Sequence, residues 1–163
     1  MKKVENVSNE MSDNNYTKFV LMLVASFVAM YITMYLNTYA IDHVYFSLTR
    51  FYMSCLGIST MAIIMFVAMR NMYKSKKKNI AIVAGSVLLF VSALGLVRTQ
   101  APIVGDILWM KAMIPHHSIA ILTSERADIQ DPEVKKLAND IIKAQKREIE
   151  EMKAMIQRLE NKK

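Results

Sequence analysis

Residues that can bind soft metal ions recur at helical spacing in the C-terminal third of this 163-residue sequence. Two runs mix acids, an amide and an imidazole with methionines: Asp106, Met110, Met113 and His117, then Gln145, Glu148, Met152 and Met155. Within each run the interval alternates between three and four residues, which places the side chains on one face of a helix. His116 adds a second imidazole directly beside His117.

Two helices joined by a short turn must position these runs. Helical patterns cover about residues 103–127 and 132–159, with a polar turn at 128–131. Asp131 is a good N-cap, and Pro132 suits the first helical position. Heptad seams continue along both patterns, so we predict an antiparallel helical hairpin.

The predicted pairing brings unusual side chains together in the seam of the hairpin. Folding about the turn brings Ala127 to Val134, and therefore His117 to Gln145. Seam positions normally carry Leu or Ile, and a buried polar group without a partner costs about 1–3 kcal/mol. These groups must therefore bond to one another, to water or to a metal ion. The alternative to ligation is a buried hydrogen-bond network that includes Glu148 and sets the hairpin register.

Two further features bear on this seam. Pro115 should kink the first helix, which would turn His116 toward the same pocket. A second apolar stripe runs beside the seam: Ile107, Ile114 and Ile121 on one helix, Ile142, Ile149 and Ile156 on the other. One hairpin cannot bury both stripes, so we predict a homodimer that forms a four-helix bundle. Packing of the second stripe on the membrane domain is the alternative.

The donor types indicate which metal would bind. Thioether sulfur suits Cu(I) and its mimic Ag(I), whereas imidazole suits copper and zinc. Zinc fits less well, because no thiolate accompanies the histidines. We therefore predict a copper ion held by His116 and His117 and by the methionines of both runs. Asp106 and Glu148 would act as ligands or orienting partners, and Gln145 as a hydrogen-bond partner of a ligand.

Three apolar segments precede the hairpin, at about residues 19–36, 51–69 and 80–97. Each approaches the roughly 20 residues that cross a bilayer. Lysines flank these segments on one side, in the basic connection 70–78 and, before the first segment, at Lys2, Lys3 and Lys18. By the positive-inside rule the N-terminus is cytoplasmic and the C-terminal part lies outside.

This topology divides the chain into a cytoplasmic tail (1–18), a three-helix transmembrane domain (19–98) and an extracytoplasmic hairpin domain (99–163). All three histidines then lie on the outer side. We interpret His43 as a solvated loop residue, with a ligand role as the alternative. Of the formal charge of +7, most lies in the membrane part, which is a topology signal and not the clustered basic face of a nucleic-acid-binding domain.

The two runs resemble the family called domain of unknown function 305. The matching stretches are Asp106-x-x-x-Met110-x-x-Met113-Ile-Pro-His116-His117 and Gln145-x-x-Glu148-Ile149-x-x-Met152, within about residues 103–159. The resemblance implies a ferritin-like helical bundle, exported or tethered to the bacterial cytoplasmic membrane, with a role in copper and silver tolerance. Longer members carry two helix pairs, so a single pair again implies self-association. Leu122 stands where the family often has methionine.

We therefore expect an all-α membrane protein that is not an enzyme and that captures or buffers copper in the periplasmic or extracellular space. The bilayer, the metal ion and a second copy of the chain are its expected partners. One alternative is a structural module in which the His, Gln and Glu layer only sets register. Another is a small metal permease, although the spans carry few polar groups beyond methionine.

Overall fold

The computed structural model describes the backbone of residues 2–162 and the side chains of residues 14–162. Lys2 and Lys3, which entered the topology prediction, therefore lie outside the described side chains. The described chain is helical and contains no strand: α1 (Lys2–Thr33), α2 (Leu48–Ala68), α3 (Lys76–Thr99), α4 (Asp106–Arg126) and α5 (Pro132–Glu160). Single 3₁₀ turns occur at Ile41–His43 and Arg70–Met72. The all-helical class predicted from the sequence is confirmed.

Three helices are long and apolar enough to cross a membrane: Asn14–Thr33, Leu48–Ala68 and Lys76–Thr99. They correspond to the three predicted segments. The first ends before the predicted residue 36, because the backbone tightens into turns there. Tyr35 N–H donates to Ile32 O, and Leu36 N–H donates to Thr33 O. The third ends at Thr99, where Gln100 adopts a left-handed backbone (φ 50°).

The first of two compact units contains the chain up to Tyr31 and the range Phe51–Thr99. An aromatic cluster fixes the α2–α3 connection to α1. The Tyr73 ring meets Phe19 edge-on at 5.6 Å and stacks on Phe66 at 5.8 Å between centroids. Tyr16 Oη donates to Asn79 Oδ1 (2.6 Å), so α1 is also tied to the start of α3 by a hydrogen bond.

The second unit contains residues 32–50, hereafter the outer connection, together with residues 100–163. Polar pairs link α4 and α5 at 2.7 Å (Lys111–Glu160) and 3.1 Å (His117–Glu148). Residue numbers rise along one helix as they fall along the other, so the helices are antiparallel. The N-cap prediction is confirmed, because the Asp131 carboxylate accepts the N–H groups of Glu133 and Val134 at 2.9 Å.

The core of this unit forms around the isoleucine stripe that was expected to need a second copy of the chain. The buried residues of this core are Met110, Ile114, Ile121, Ile149, Met152 and Ile156, and Tyr45 of the outer connection packs against them. Because the chain buries the stripe itself, the stripe no longer argues for a homodimer.

The helix register also differs from the prediction. His117 contacts Glu148, whereas the prediction paired it with Gln145, about one helical turn away. Val134 and Leu137 are exposed (49% and 60%), and the first buried residue of α5 is Ala138. Val134 therefore does not form part of a buried seam, and the partner of His117 lies about one helical turn from the predicted one.

Candidate metal site

His117 and Glu148 form the centre of the candidate site. His117 lies on α4, only 15% exposed, and its Nδ1 is 3.1 Å from Glu148 Oε2 on α5. The carboxylate lies out of line for a hydrogen bond, however, and Nδ1 is a buried nitrogen without a hydrogen-bond partner among the described residues. An unsatisfied buried ring nitrogen is costly in an apolar core unless something else binds it.

Burial keeps this imidazole available as a ligand. Desolvation lowers the pKa of His117, the Glu148 carboxylate opposes that shift, and His116 adds to it. The lowered pKa favours the neutral ring at neutral pH. A neutral imidazole has a lone pair that can bind a metal ion, whereas the protonated ring has none.

The thioether sulfurs divide into buried and exposed groups. Met110 and Met152 are buried in the core cluster, and Met113 packs against that cluster. Met155 is 37% exposed. The structure thus places three of the four predicted methionines in or beside one core between α4 and α5.

The other predicted ligands occupy different positions. Asp106 is exposed in the first turn of α4, and Gln145 is half-buried on α5. His116 is exposed, and its ring centroid is 6.1 Å from that of His117. His116 lines a cavity of about 190 Å³ together with Met113 and Trp109. Helix α4 continues through Pro115.

His43 is not the solvated loop residue that we expected. Its ring is buried (8% exposed), and Nδ1 lies 3.0 Å from the hydroxyl of Ser118. The same hydroxyl accepts the backbone N–H of Tyr39 at 2.7 Å. The neighbouring Asp42 carboxylate accepts a hydrogen bond from Lys153 Nζ on α5 at 2.6 Å. Ser118, fully buried, was missed in the sequence, where its only signal was a small polar residue beside two histidines.

Arg50 provides a second attachment of the outer connection to α4. Its guanidinium donates to the carbonyls of Met34 and of Pro115, the latter at 3.3 Å, and lies 4.4 Å over the ring of Tyr35. The phenol of Tyr35 in turn accepts the N–H of Ser47. The segment of α4 that carries both histidines is therefore held from α5 and from the outer connection.

Among the described residues, no three His, Cys, Asp or Glu side chains come together as metal ligands. A hard-ion site of carboxylates or a Cys and His zinc site is therefore not formed by those residues. The described residues offer one imidazole paired with one carboxylate, and three thioethers in or beside the core between the same two helices. That set fits a soft ion better than a hard one.

These features define a class of small all-helical proteins, in which membrane-length helices accompany a methionine- and histidine-bearing helix pair. Residues 104–163 match the family model described as Domain of unknown function (DUF305), and the chain belongs to that family. An uncharacterized protein of Acanthamoeba polyphaga mimivirus is 35% identical over 154 residues, which cover 91% of this chain and 98% of the relative. This similarity therefore extends into the three membrane-length helices. No solved structure matches the chain.

Proposed function

We propose that this protein is a membrane-anchored, extracytoplasmic metal-binding protein that captures copper, or silver as its mimic, and buffers it or passes it on. In this proposal α1, α2 and α3 anchor the chain in the bilayer. The hairpin of α4 and α5 then presents the site outside the cytoplasm. A bacterial membrane rests on the family resemblance alone.

The unsatisfied Nδ1 of His117 is the observation that carries the proposal. The chain buries this nitrogen, lowers the pKa of the ring by that burial and places a carboxylate 3.1 Å away without forming a hydrogen bond. A bound cation would satisfy both groups at once, since the nitrogen would donate its lone pair and the carboxylate would balance the charge.

The methionines in and beside the α4–α5 core favour copper over other cations in this proposal. Met110 and Met152 are buried, although methionine at such positions is ordinarily only flexible packing. Met113 packs against the core and also lines the cavity beside His116, so it lies between the core and that cavity. Imidazole together with thioether is a donor set suited to Cu(I) and Ag(I).

The proposed topology follows from the distribution of charge. The connection between α2 and α3 carries Arg70, Lys74 and the lysines that begin α3, whereas the outer connection carries one arginine. Positive charge favours the cytoplasmic side. The apolar surfaces of these helices are largely exposed within their own unit, as expected of helices that face lipid.

A competitive Cu(I) titration of the detergent-purified chain tests the proposal. The parent should take Cu(I) from a chromogenic chelator, and the His116→Ala/His117→Ala variant should bind at least about 10-fold more weakly, as expected when metal ligands are lost. His43→Gln is the matched control, because it removes the third imidazole, which bonds to Ser118 instead. Far-ultraviolet circular dichroism verifies that each variant remains helical.

A second candidate function follows from the attachment of the outer connection to α4. If the His117–Glu148 layer only sets the packing of the helix pair, the double variant will bind Cu(I) as the parent does but will unfold more easily. That result would contradict metal capture and leave the hairpin as an assembly module of a membrane complex.

A further inference from the structure

A long apolar groove lies between the three membrane-length helices. It encloses about 400 Å³ and is lined mainly by apolar side chains, including Phe19, Phe27, Ile58, Ala62, Ala81 and Leu89. All three helices contribute to the lining. An occupant of this groove would therefore have to be apolar.

The length of the groove matches one leaflet of a bilayer. Phe19 and Phe27 on α1 are eight residues apart, as are Ala81 and Leu89 on α3. At 1.5 Å per residue each wall runs for roughly 12 Å. Half of a typical hydrocarbon core is roughly 15 Å. The groove could thus hold an acyl chain, entering from one membrane surface, over most of the thickness of one leaflet.

Positive charge lies closest to one end of the groove. Lys18 immediately precedes Phe19, and Lys77 lies one helical turn before Ala81; both lysines are exposed. Helix α3 begins at Lys76, so the N–H groups of its first turn add positive potential at the same end. At the other end, no charged residue follows Leu89 until Arg98.

We propose that this groove is a binding site for an anionic phospholipid of the cytoplasmic leaflet. One acyl chain would occupy the groove, and the phosphate headgroup would lie between Lys18 and Lys77. The proposal rests on the membrane insertion proposed above, but not on metal capture. The aromatic cluster of Tyr16, Phe19 and Tyr73 gives the site a fixed wall at the headgroup end.

Two glycines of α3 provide a matched pair of variants. Gly85 lines the groove, and Gly95 lies ten residues further along the same helix, outside the groove lining. A Cβ at either position would meet no neighbouring atom within 4 Å. Gly85→Leu would therefore begin in open space and add apolar volume at the groove lining, whereas Gly95→Leu makes the same chemical change elsewhere.

The test uses the full chain reconstituted in phosphatidylcholine vesicles that contain acyl-spin-labelled phosphatidylglycerol or phosphatidylcholine. Electron paramagnetic resonance measures the fraction of labelled lipid that is motionally restricted. The parent should restrict phosphatidylglycerol several-fold more than phosphatidylcholine, since each nearby lysine favours an anionic lipid by about fivefold. Gly85→Leu should reduce the restricted fraction of both lipids, and Gly95→Leu should not.

The Lys18→Gln/Lys77→Gln variant should lose the headgroup preference while it retains the acyl-chain signal. Equal spectra for parent, Gly85→Leu and Gly95→Leu would overturn the proposal. It would also be overturned if Gly85→Leu left the lipid signal unchanged but reduced the size of an oligomer, because the groove would then hold a helix of a second copy. Release of the parent from membranes by alkaline carbonate would overturn membrane insertion and this site together, whereas the Cu(I) titration is independent of it.

Discussion

The Ser118 hydroxyl oxygen lies 3.0 Å from Nδ1 of His43, so one buried side chain of α4 holds the outer connection in place. The same oxygen accepts the N–H of Tyr39 at 2.7 Å, and the tautomer of the His43 ring decides which partner donates in the bond between them. Ser118 directly follows His117. The attachment of the outer connection and the candidate metal site thus share a single helical turn.

Ser118→Ala should destabilise this unit by about 1–3 kcal/mol, because it leaves a partly buried backbone N–H and a buried imidazole nitrogen without partners. The free energy of unfolding in detergent, followed by circular dichroism, measures the loss. Ser124→Ala is the control, since Ser124 lies on the same helix and is only half-buried. Equal losses in the two variants would show that Ser118 does not hold the connection.

The stability of this unit should fall as the pH drops from about 7.5 to 5.5. Burial lowers the pKa of His43, assisted by Lys153 and opposed by Asp42 and Glu150. Because the folded pKa lies below the unfolded value, the unfolded chain binds the proton more readily. The contribution of the neutral ring is therefore complete above the unfolded pKa and declines as the pH falls below it.

Unfolding free energies of the parent and of His43→Gln, measured over the same pH range, test whether stability falls toward low pH. His43→Gln should show a smaller slope, and the remainder should come from His117, whose pKa burial also lowers. Asp42 does not affect this range, since its pKa is lowered from an already acidic value. A parent curve that is flat, or that rises toward low pH, would contradict the burial of His43.

The position of the core leads to a third prediction. Ile149→Ala should cost about 2–5 kcal/mol, because Ile149 is only 1% exposed in the α4–α5 core. Val134→Ala shortens an exposed side chain of the same helix and should change stability by less than about 0.5 kcal/mol. The predicted seam near Val134 would require a substantial loss at this end of α5 instead, so thermal unfolding of both variants distinguishes the two registers.

Local signals in the sequence were sufficient for the helices and for the cap at Asp131. Membrane-length apolar segments, proline positions and the N-cap carboxylate act within a few residues. The three apolar helices and the DUF305 helix pair were accordingly predicted from short stretches of chain.

The face on which α4 and α5 meet was predicted only in part, since Met110, Ala138 and Met152 of the predicted seam are buried but other members are not. Two stripes run side by side at the same spacing, and periodicity alone does not decide which one is buried. The stripe with His117 and Met113 was predicted to be the seam. In the structure, isoleucines such as Ile114 and Ile121 form the most buried part of the core between the two helices. Burial of apolar area favours that arrangement, and the polar residues take the flank of the interface.

The contacts of the outer connection with α4 and α5 join residues far apart in the sequence, so short-range patterns do not predict them. His43 and Ser118 are 75 residues apart, and Asp42 and Lys153 are 111 apart. No local pattern marks these pairs. A serine next to two histidines was the single feature of the sequence that could have directed attention to this contact.

Replacement of Glu148 separates its role at the metal from a purely structural one. Glu148→Gln keeps the size of the side chain but removes the charge beside His117 Nδ1, 3.1 Å away. If Glu148 balances and orients a metal-bound imidazole, Cu(I) affinity should fall about 10–100-fold, as is usual when a carboxylate that supports a metal ligand is lost. Glu151→Gln is the matched control, because that carboxylate is exposed and pairs with Arg147 on the same helix. Identical Cu(I) affinities for the two variants, both still helical, would mean that Glu148 only sets the packing of α4 against α5.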